Sequence, residues 1–203
     1  MNSFEIRNGI RHLSKKDAVL QSIIKNAPVC NLKEGRNYFK ALLRAIIGQQ
    51  LSLSAAASIN SRFLDFFENK PVPEKILKTD DFLLRKIGLS NSKTKYIKDF
   101  SSRLINKEIS LRGISKKSDE KIIEELVQVK GIGIWTVQMF LIFTLGRQNV
   151  LPLGDLGLKR AIMQNYKLTE LPGEVEIKKL AVENNWEPYC SIASWYLWKS
   201  LEL

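Results

Sequence analysis

The residue most able to do chemistry is an aspartate at the junction of a loop and a helix. The segment Val150-Leu-Pro-Leu-Gly-Asp-Leu-Gly-Leu-Lys-Arg160 places Asp155 after a loop rich in Gly and Pro and before a helix-favouring run. An aspartate there caps the helix, because its side chain accepts hydrogen bonds from first-turn amides. If the protein is an enzyme, a carboxylate such as this one is among the few kinds of group that could carry the chemistry. Both roles are compatible, and Asp155 is the candidate catalytic residue.

Two glycines earlier in the chain form a second candidate site. The run Val129-Lys-Gly-Ile-Gly133 separates two helix-favouring segments. Glycines let the backbone turn sharply and approach a ligand closely, and the next helix begins with unpaired amides and a positive dipole end. This combination could bind phosphate, but the glycines alone favour an ordinary glycine-capped corner between helices. The Asp155 loop that follows about 20 residues later reverses this preference in favour of phosphate binding. The candidate phosphate-binding residues are Lys130, Gly131, Gly133 and Thr136.

Composition narrows the classes of function. The chain has 32 Lys and Arg against 21 Asp and Glu, a net charge of +11, which favours a polyanionic partner such as nucleic acid. A soluble protein that is merely basic would have the same charge. The only cysteines are Cys30 and Cys190 and the only histidine is His12, so we expect no zinc site, no iron–sulfur cluster and no histidine-based triad.

The sequence offers no membrane or export signal. No run approaches the roughly 20 apolar residues that cross a bilayer, and the first residues lack the apolar core of a signal peptide. We expect a monomer without a membrane partner, located in the cytoplasm or nucleoid, or in the nucleus of a eukaryote, and not secreted.

Helical periodicity is nearly continuous and strand signals are weak, which predicts an all-α protein. The apolar pattern begins near Asp17 and continues over residues 38–47 and 54–66. Pro73 suits a first helical position, Asp80 suits a cap, and Ser118 or Asp119 opens a later helix. Around the glycines, one helix should end near Leu126 and another begin directly after the turn.

Four ordered segments together resemble a known family. They are Phe39-Lys-Ala-Leu-Leu-Arg-Ala-Ile-Ile-Gly-Gln-Gln-Leu-Ser-Leu-Ser-Ala-Ala, Gly88-Leu-Ser-x-x-Lys-x-x-Tyr-Ile, the glycine hairpin with the Asp155 loop, and Trp186-x-Pro-Tyr. The chain resembles the helix-hairpin-helix Gly/Pro-Asp (HhH-GPD) superfamily of DNA glycosylases, and most of all its DNA-3-methyladenine glycosylase II branch. The resemblance covers most of the chain.

This resemblance implies a fold and a domain organisation. We expect one HhH-GPD catalytic core over residues 1–203, with two helical lobes and a DNA-binding cleft between them. Residues 1–45 and 147–203 would form one lobe, and residues 46–146 the other, with the hairpin at 126–137. The N-terminal β-rich domain of some relatives would be missing, leaving a minimal catalytic core.

The resemblance also implies an activity. The expected protein is a monofunctional DNA glycosylase that acts in base excision repair on double-stranded DNA, flipping out and releasing alkylated purines of the 3-methyladenine and 7-methylguanine type. Trp135 stands where bifunctional relatives carry a nucleophilic lysine, so no lyase activity is expected. Lys130 replaces a proline common in the family, and Cys190 stands where a basic residue is frequent.

Further site residues follow from the resemblance alone. Trp135, Met139 and Trp198 map onto base-pocket positions. Independently of the resemblance, Trp186 and Trp195 are assigned to the hydrophobic core, where a C-terminal run of aromatic residues usually lies. Gln50, with Leu51 beside it, maps onto the wedge inserted into the duplex. The backbone carbonyls of Val127, Val129 and Ile132 map onto a site for a monovalent cation, Na⁺ or K⁺, and no other cofactor is expected.

Several alternatives stay open at this point. A non-catalytic helix-hairpin-helix DNA-binding protein would keep the hairpin without the chemistry. A glycosylase for neutral lesions, such as hypoxanthine or ethenoadenine, would use the same residues on other bases. A lyase-type enzyme for oxidised bases and a helical protein–protein scaffold are disfavoured by Trp135 and by the basic charge respectively.

Overall fold

The computed structural model describes residues Met1–Leu203 and contains helices but no strands. The α helices are, in order, α1 Ser3–Lys16, α2 Ala18–Asn26, α3 Tyr38–Gly48, α4 Leu53–Phe66, α5 Pro73–Lys78, α6 Asp81–Lys86, α7 Asn91–Ile105, α8 Asp119–Leu126, α9 Ile134–Phe143, α10 Leu156–Asn165, α11 Glu174–Glu183 and α12 Cys190–Ser200. A 3₁₀ turn covers Ile114–Lys116. The predicted all-α class is confirmed.

Short polar side chains determine where many of these helices begin. Helix starts are capped by side chains that accept a hydrogen bond from a first-turn amide, at Asn37, Ser52, Asp80, Ser90 and Ser118. Helix α5 instead begins at Pro73, where the missing proline N–H costs nothing. The predicted starts at Pro73, Asp80 and Ser118 are confirmed.

The prediction that helical structure begins near Asp17 is wrong. Helix α1 precedes it, and Asn2 and Glu5 form a reciprocal capping box at its start. The helix buries only Ile6, Gly9 and Leu13, positions three and four residues apart on one face. Because the rest of the segment is largely polar or charged, this narrow apolar stripe is difficult to recognise in the sequence as the periodicity of a helix.

The chain divides into two compact units. The first contains Met1–Gly35 and Leu141–Leu203, and the second contains Arg36–Phe140. The chain enters the second unit before the boundary expected near residue 45, because α3 packs against α4 and α7. It leaves that unit within α9 rather than near residue 146.

The core of the first unit is built where α1, α2, α10 and α12 pack together. Trp186 is fully buried, and Trp195 is 5% exposed, so both occupy the core positions predicted for them. Cys30 and Cys190 are buried and not joined in a disulfide. Burial raises the pKa of the Cys30 thiol to about 11 and that of Cys190 to about 12.

A buried carboxylate links three parts of this unit. Asp17 Oδ1 accepts hydrogen bonds from the amides of Val19 and Leu20 at 2.9 and 3.0 Å, which caps α2. Its Oδ2 accepts from Trp186 Nε1 at 2.8 Å and from the Tyr166 hydroxyl. Burial and the nearby carboxylate raise the pKa of Tyr166 above its usual range, so the phenol stays protonated and continues to donate.

The second unit packs α3 against α4 and α7, and α7 also packs against α5 and α6. Phe39 and Phe100 stack with ring centroids 5.4 Å apart, and Phe63 is fully buried. No helix of the protein combines the length and the apolar character required to cross a lipid bilayer.

Replacing Asp17 tests the buried network. Asp17→Ala should lower the free energy of unfolding by roughly 3 to 5 kcal/mol, because it removes a helix cap and leaves the buried Trp186 donor and the half-buried Tyr166 hydroxyl without this acceptor. Urea denaturation followed by circular dichroism measures this change. The control is Ser118→Ala at the cap of α8, where we expect a loss of about 1 kcal/mol. Equal losses in the two variants would contradict a network role for Asp17.

Candidate active site

Asp155 lies at the start of α10 and is 9% exposed. Its Oδ1 accepts the Leu158 amide at 2.6 Å and Trp198 Nε1 at 2.8 Å. Its own backbone N–H donates to the Pro152 carbonyl at 2.9 Å, which closes the loop before the helix. The predicted capping role is therefore confirmed. Hydrogen bonds to the main chain and to the side chain both hold Asp155 in place.

Trp198 is the side chain that reaches this carboxylate from α12. Its ring stacks on Phe143, with centroids 5.6 Å apart and planes inclined by 28°. Trp198 was predicted as a base-pocket residue, and the structure shows that its indole N–H donates to Asp155. Neither this bond nor Phe143 was anticipated, since nothing in the sequence relates residues so far apart.

The hairpin forms as predicted between α8, which ends at Leu126, and α9, which begins at Ile134. Within the turn, the Val129 amide donates to the Leu126 carbonyl at 3.1 Å, and the Ile132 amide donates to the Val129 carbonyl at 3.0 Å. Val129 and Ile132 are buried. Their side chains anchor the turn in the unit while Gly131 and Gly133 between and after them are exposed.

The two glycines of the hairpin meet different constraints. Gly131 has a φ of +82°, and a Cβ placed there would lie 2.2 Å from the Tyr96 ring. A Cβ at Gly133 would meet nothing within 4 Å. Backbone conformation and space therefore both favour glycine at position 131, whereas position 133 leaves open space beside the backbone at the start of α9.

Two side chains tie the hairpin to the rest of the second unit. Gln49 Nε2 donates to the Gly131 carbonyl at 2.7 Å. Asp99 Oδ2 accepts the Lys130 amide at 2.9 Å and also Arg103 Nε at 3.0 Å. These contacts were missed in the sequence, because a glutamine after a helix and an acid within one carry no signal of a distant partner.

A cavity of about 780 Å³ lies within the second unit. It brings together six of the predicted site residues, namely Gln50, Leu51, Gly131, Trp135, Thr136 and Met139. Lys93 also lines it, and burial lowers the pKa of this lysine. The catalytic candidate Asp155 and the third base-pocket candidate, Trp198, belong to the first unit.

The loop between α3 and α4 carries the predicted wedge. Gln50 is exposed, with a φ of +56°, a backbone conformation that few residues other than glycine adopt. Leu51 beside it is 38% exposed, and Leu53 at the start of α4 is 93% exposed. An exposed amide followed by two exposed leucines suits insertion into a base stack, and the wedge assignment stays a prediction.

The carbonyls predicted to hold a monovalent cation lie within one turn. Val127, Val129 and Ile132 are all placed between α8 and α9. Backbone carbonyls are hard oxygen donors of the kind that such cations take, so the donor set fits the expected ion. The assignment stays a prediction.

Comparison with known proteins relates this chain to DNA repair enzymes. Residues 43–188 match the family described as HhH-GPD superfamily base excision DNA repair protein. YfjP of Bacillus subtilis is 36% identical over 204 residues, covering 97% of this chain and 70% of that protein. DNA-3-methyladenine glycosylase 1 of Schizosaccharomyces pombe is 33% identical over 198 residues, covering 95% and 86%.

A solved structure supports the same relationship. The 3-methyladenine DNA glycosylase of Schizosaccharomyces pombe, in complex with abasic DNA, is similar with a TM-score of 0.84 and 32% identity over 97% of each chain. The similarity in sequence and in fold therefore extends over nearly the whole protein.

The different steric constraints at Gly131 and Gly133 can be tested by replacing each glycine with alanine. Gly131→Ala should lower the free energy of unfolding by roughly 2 to 4 kcal/mol, because it combines a left-handed backbone with overlap against Tyr96. Gly133→Ala should change it by about 0.5 kcal/mol or less. Thermal and urea denaturation of both variants measure the difference, and equal destabilisation would show that the steric account of Gly131 is wrong.

Proposed function

Because the chain belongs to the HhH-GPD superfamily of base excision DNA repair proteins, we propose that it is a monofunctional DNA glycosylase that releases alkylated purines from double-stranded DNA. The observation that carries this proposal is the carboxylate of Asp155, held at the head of α10 by the Leu158 amide and the Trp198 indole. The similar Schizosaccharomyces pombe enzyme was solved with abasic DNA, which is the product of such a reaction.

Asp155 supports hydrolysis through its charge and its fixed position. As the bond between C1′ and the base nitrogen breaks, positive charge grows on the deoxyribose, and a carboxylate beside it lowers the barrier. Water then adds to C1′, giving up a proton that Asp155 accepts or passes to solvent. The products are the released base and an abasic site. A carboxylate that is already oriented needs no rearrangement during this step.

The cavity of the second unit offers groups for the flipped base. Alkylation at N3 or N7 makes a purine cationic, and a cation over an indole face is attracted by about 0.5 to 2 kcal/mol. Trp135, which is 48% exposed, supplies such a face, and Met139 adds an adaptable apolar contact. Gln50 fills the space left in the duplex and hydrogen-bonds to the orphan base, which offsets part of the flipping cost.

The hairpin holds the DNA without reading its sequence. The exposed backbone of Gly131 and Gly133 and the first amides of α9 bind phosphate oxygens, and Lys130 adds a charge. The carbonyls of Val127, Val129 and Ile132 would hold a monovalent cation, whose charge would favour the binding of an anionic phosphate. The net charge of +11 favours binding to DNA, and electrostatic contacts of this kind should weaken as the salt concentration rises.

Trp135 bears on whether the strand is also cut. An indole cannot form a Schiff base, so the reaction should stop at the abasic site. We expect no covalent protein–DNA adduct when borohydride is added during turnover on methylated duplex. A bifunctional glycosylase assayed in parallel on its own substrate is the positive control, and a trapped adduct would overturn the monofunctional assignment.

Asp155→Asn tests the chemistry. Asparagine caps a helix as well as aspartate does, so the variant should fold normally, yet base release from methylated DNA should fall at least about 100-fold. The control is Asp80→Asn, the same substitution at the cap of α6, which should leave base release unchanged. An active Asp155→Asn enzyme would refute the proposal. Wild-type protein that binds DNA but releases no base would favour the non-catalytic alternative.

A further inference from the structure

We propose that Trp198 is a positioning residue, which orients the Asp155 carboxylate for base release rather than serving as a wall of the base pocket. The inference rests on the proposed function, because it takes Asp155 as the catalytic group.

Two hydrogen bonds hold one oxygen of the Asp155 carboxylate. Oδ1 accepts two N–H donors, from Leu158 at 2.6 Å and from Trp198 at 2.8 Å. The Leu158 amide alone would let the carboxylate rotate about the bond to its Cγ. A second donor from a different helix removes that freedom and thereby also places Oδ2.

The surroundings of Trp198 show that the indole is itself held in place. Stacking on Phe143 orients the ring plane. Gly157 contributes by its lack of a side chain, because a Cβ there would lie 3.1 Å from Asp155 Oδ1 and 3.5 Å from Trp198 Nε1. The helix that Asp155 caps therefore leaves room for the indole to reach the carboxylate.

This geometry gives Trp198 a role distinct from base stacking. The indole N–H of Trp198 already donates a hydrogen bond to Asp155. Stabilisation of a developing cation depends steeply on where the carboxylate lies, and a displacement of about 1 Å can cost about 100-fold in rate. Loss of the indole N–H should therefore slow the chemical step while leaving DNA binding in place.

Trp198→Phe removes the N–H and keeps an aromatic ring. Under single-turnover conditions with methylated duplex, we expect the rate of base release to fall about 10- to 100-fold. The dissociation constant for the same duplex should be unchanged. The matched control is Trp195→Phe, one turn earlier on α12 in the core, which should retain the wild-type rate whatever it costs in stability.

Gly157→Ala provides a second variant that does not depend on the tryptophan. Alanine favours a helix more than glycine does, so the variant should fold. Its Cβ would lie only 3.1 Å from Oδ1, which must shift slightly, while it meets the indole at ordinary van der Waals distance. We expect base release to slow about 3- to 10-fold with DNA affinity unchanged.

The outcomes separate this inference from the proposed function. If wild type releases base, Asp155→Asn does not, and Trp198→Phe matches wild type, only the positioning role fails. Weaker substrate binding with an unchanged single-turnover rate in Trp198→Phe would overturn it as well, because that result is the one expected of a base-pocket wall. An active Asp155→Asn enzyme would remove the proposed function itself.

Discussion

A buried carboxylate at the end of a helix is the interaction on which the first unit depends. Helix α10 is held in this way at both ends, since Asp155 caps its first turn and Asp17 accepts from the hydroxyl of Tyr166, which directly follows its last turn. Each aspartate also accepts the indole N–H of a tryptophan from elsewhere in the unit. One arrangement thus serves stability at Asp17 and the proposed chemistry at Asp155.

The two glycines of the hairpin in the second unit have different roles. Gly131 is needed for packing, because its left-handed backbone lies against Tyr96. Its carbonyl also accepts a hydrogen bond from Gln49. Gly133 satisfies no packing requirement in the protein alone. A glycine that the fold does not need, at the start of a helix, is what backbone recognition of a phosphate calls for.

Local features were predictable from the sequence, and distant contacts were not. The all-helical class, the superfamily, the hairpin and the cap at Asp155 follow from neighbouring residues or from ordered motifs. The bonds from Trp198 to Asp155, from Gln49 to Gly131 and from the Lys130 amide to Asp99 depend on tertiary packing, so spacing along the chain could not reveal them. Helix α1 was missed for a different reason, since its apolar stripe is narrow.

The two cysteines gain significance from the lesions proposed as substrates. Electrophiles that methylate purines also attack sulfur, and they react with the thiolate rather than the thiol. Cys30 and Cys190 are buried, and their pKa values are raised to about 11 and about 12, so thiolate is scarce near neutral pH. Both thiols are therefore buried and protonated near neutral pH, which makes them poor targets for the agents whose damage the protein would repair.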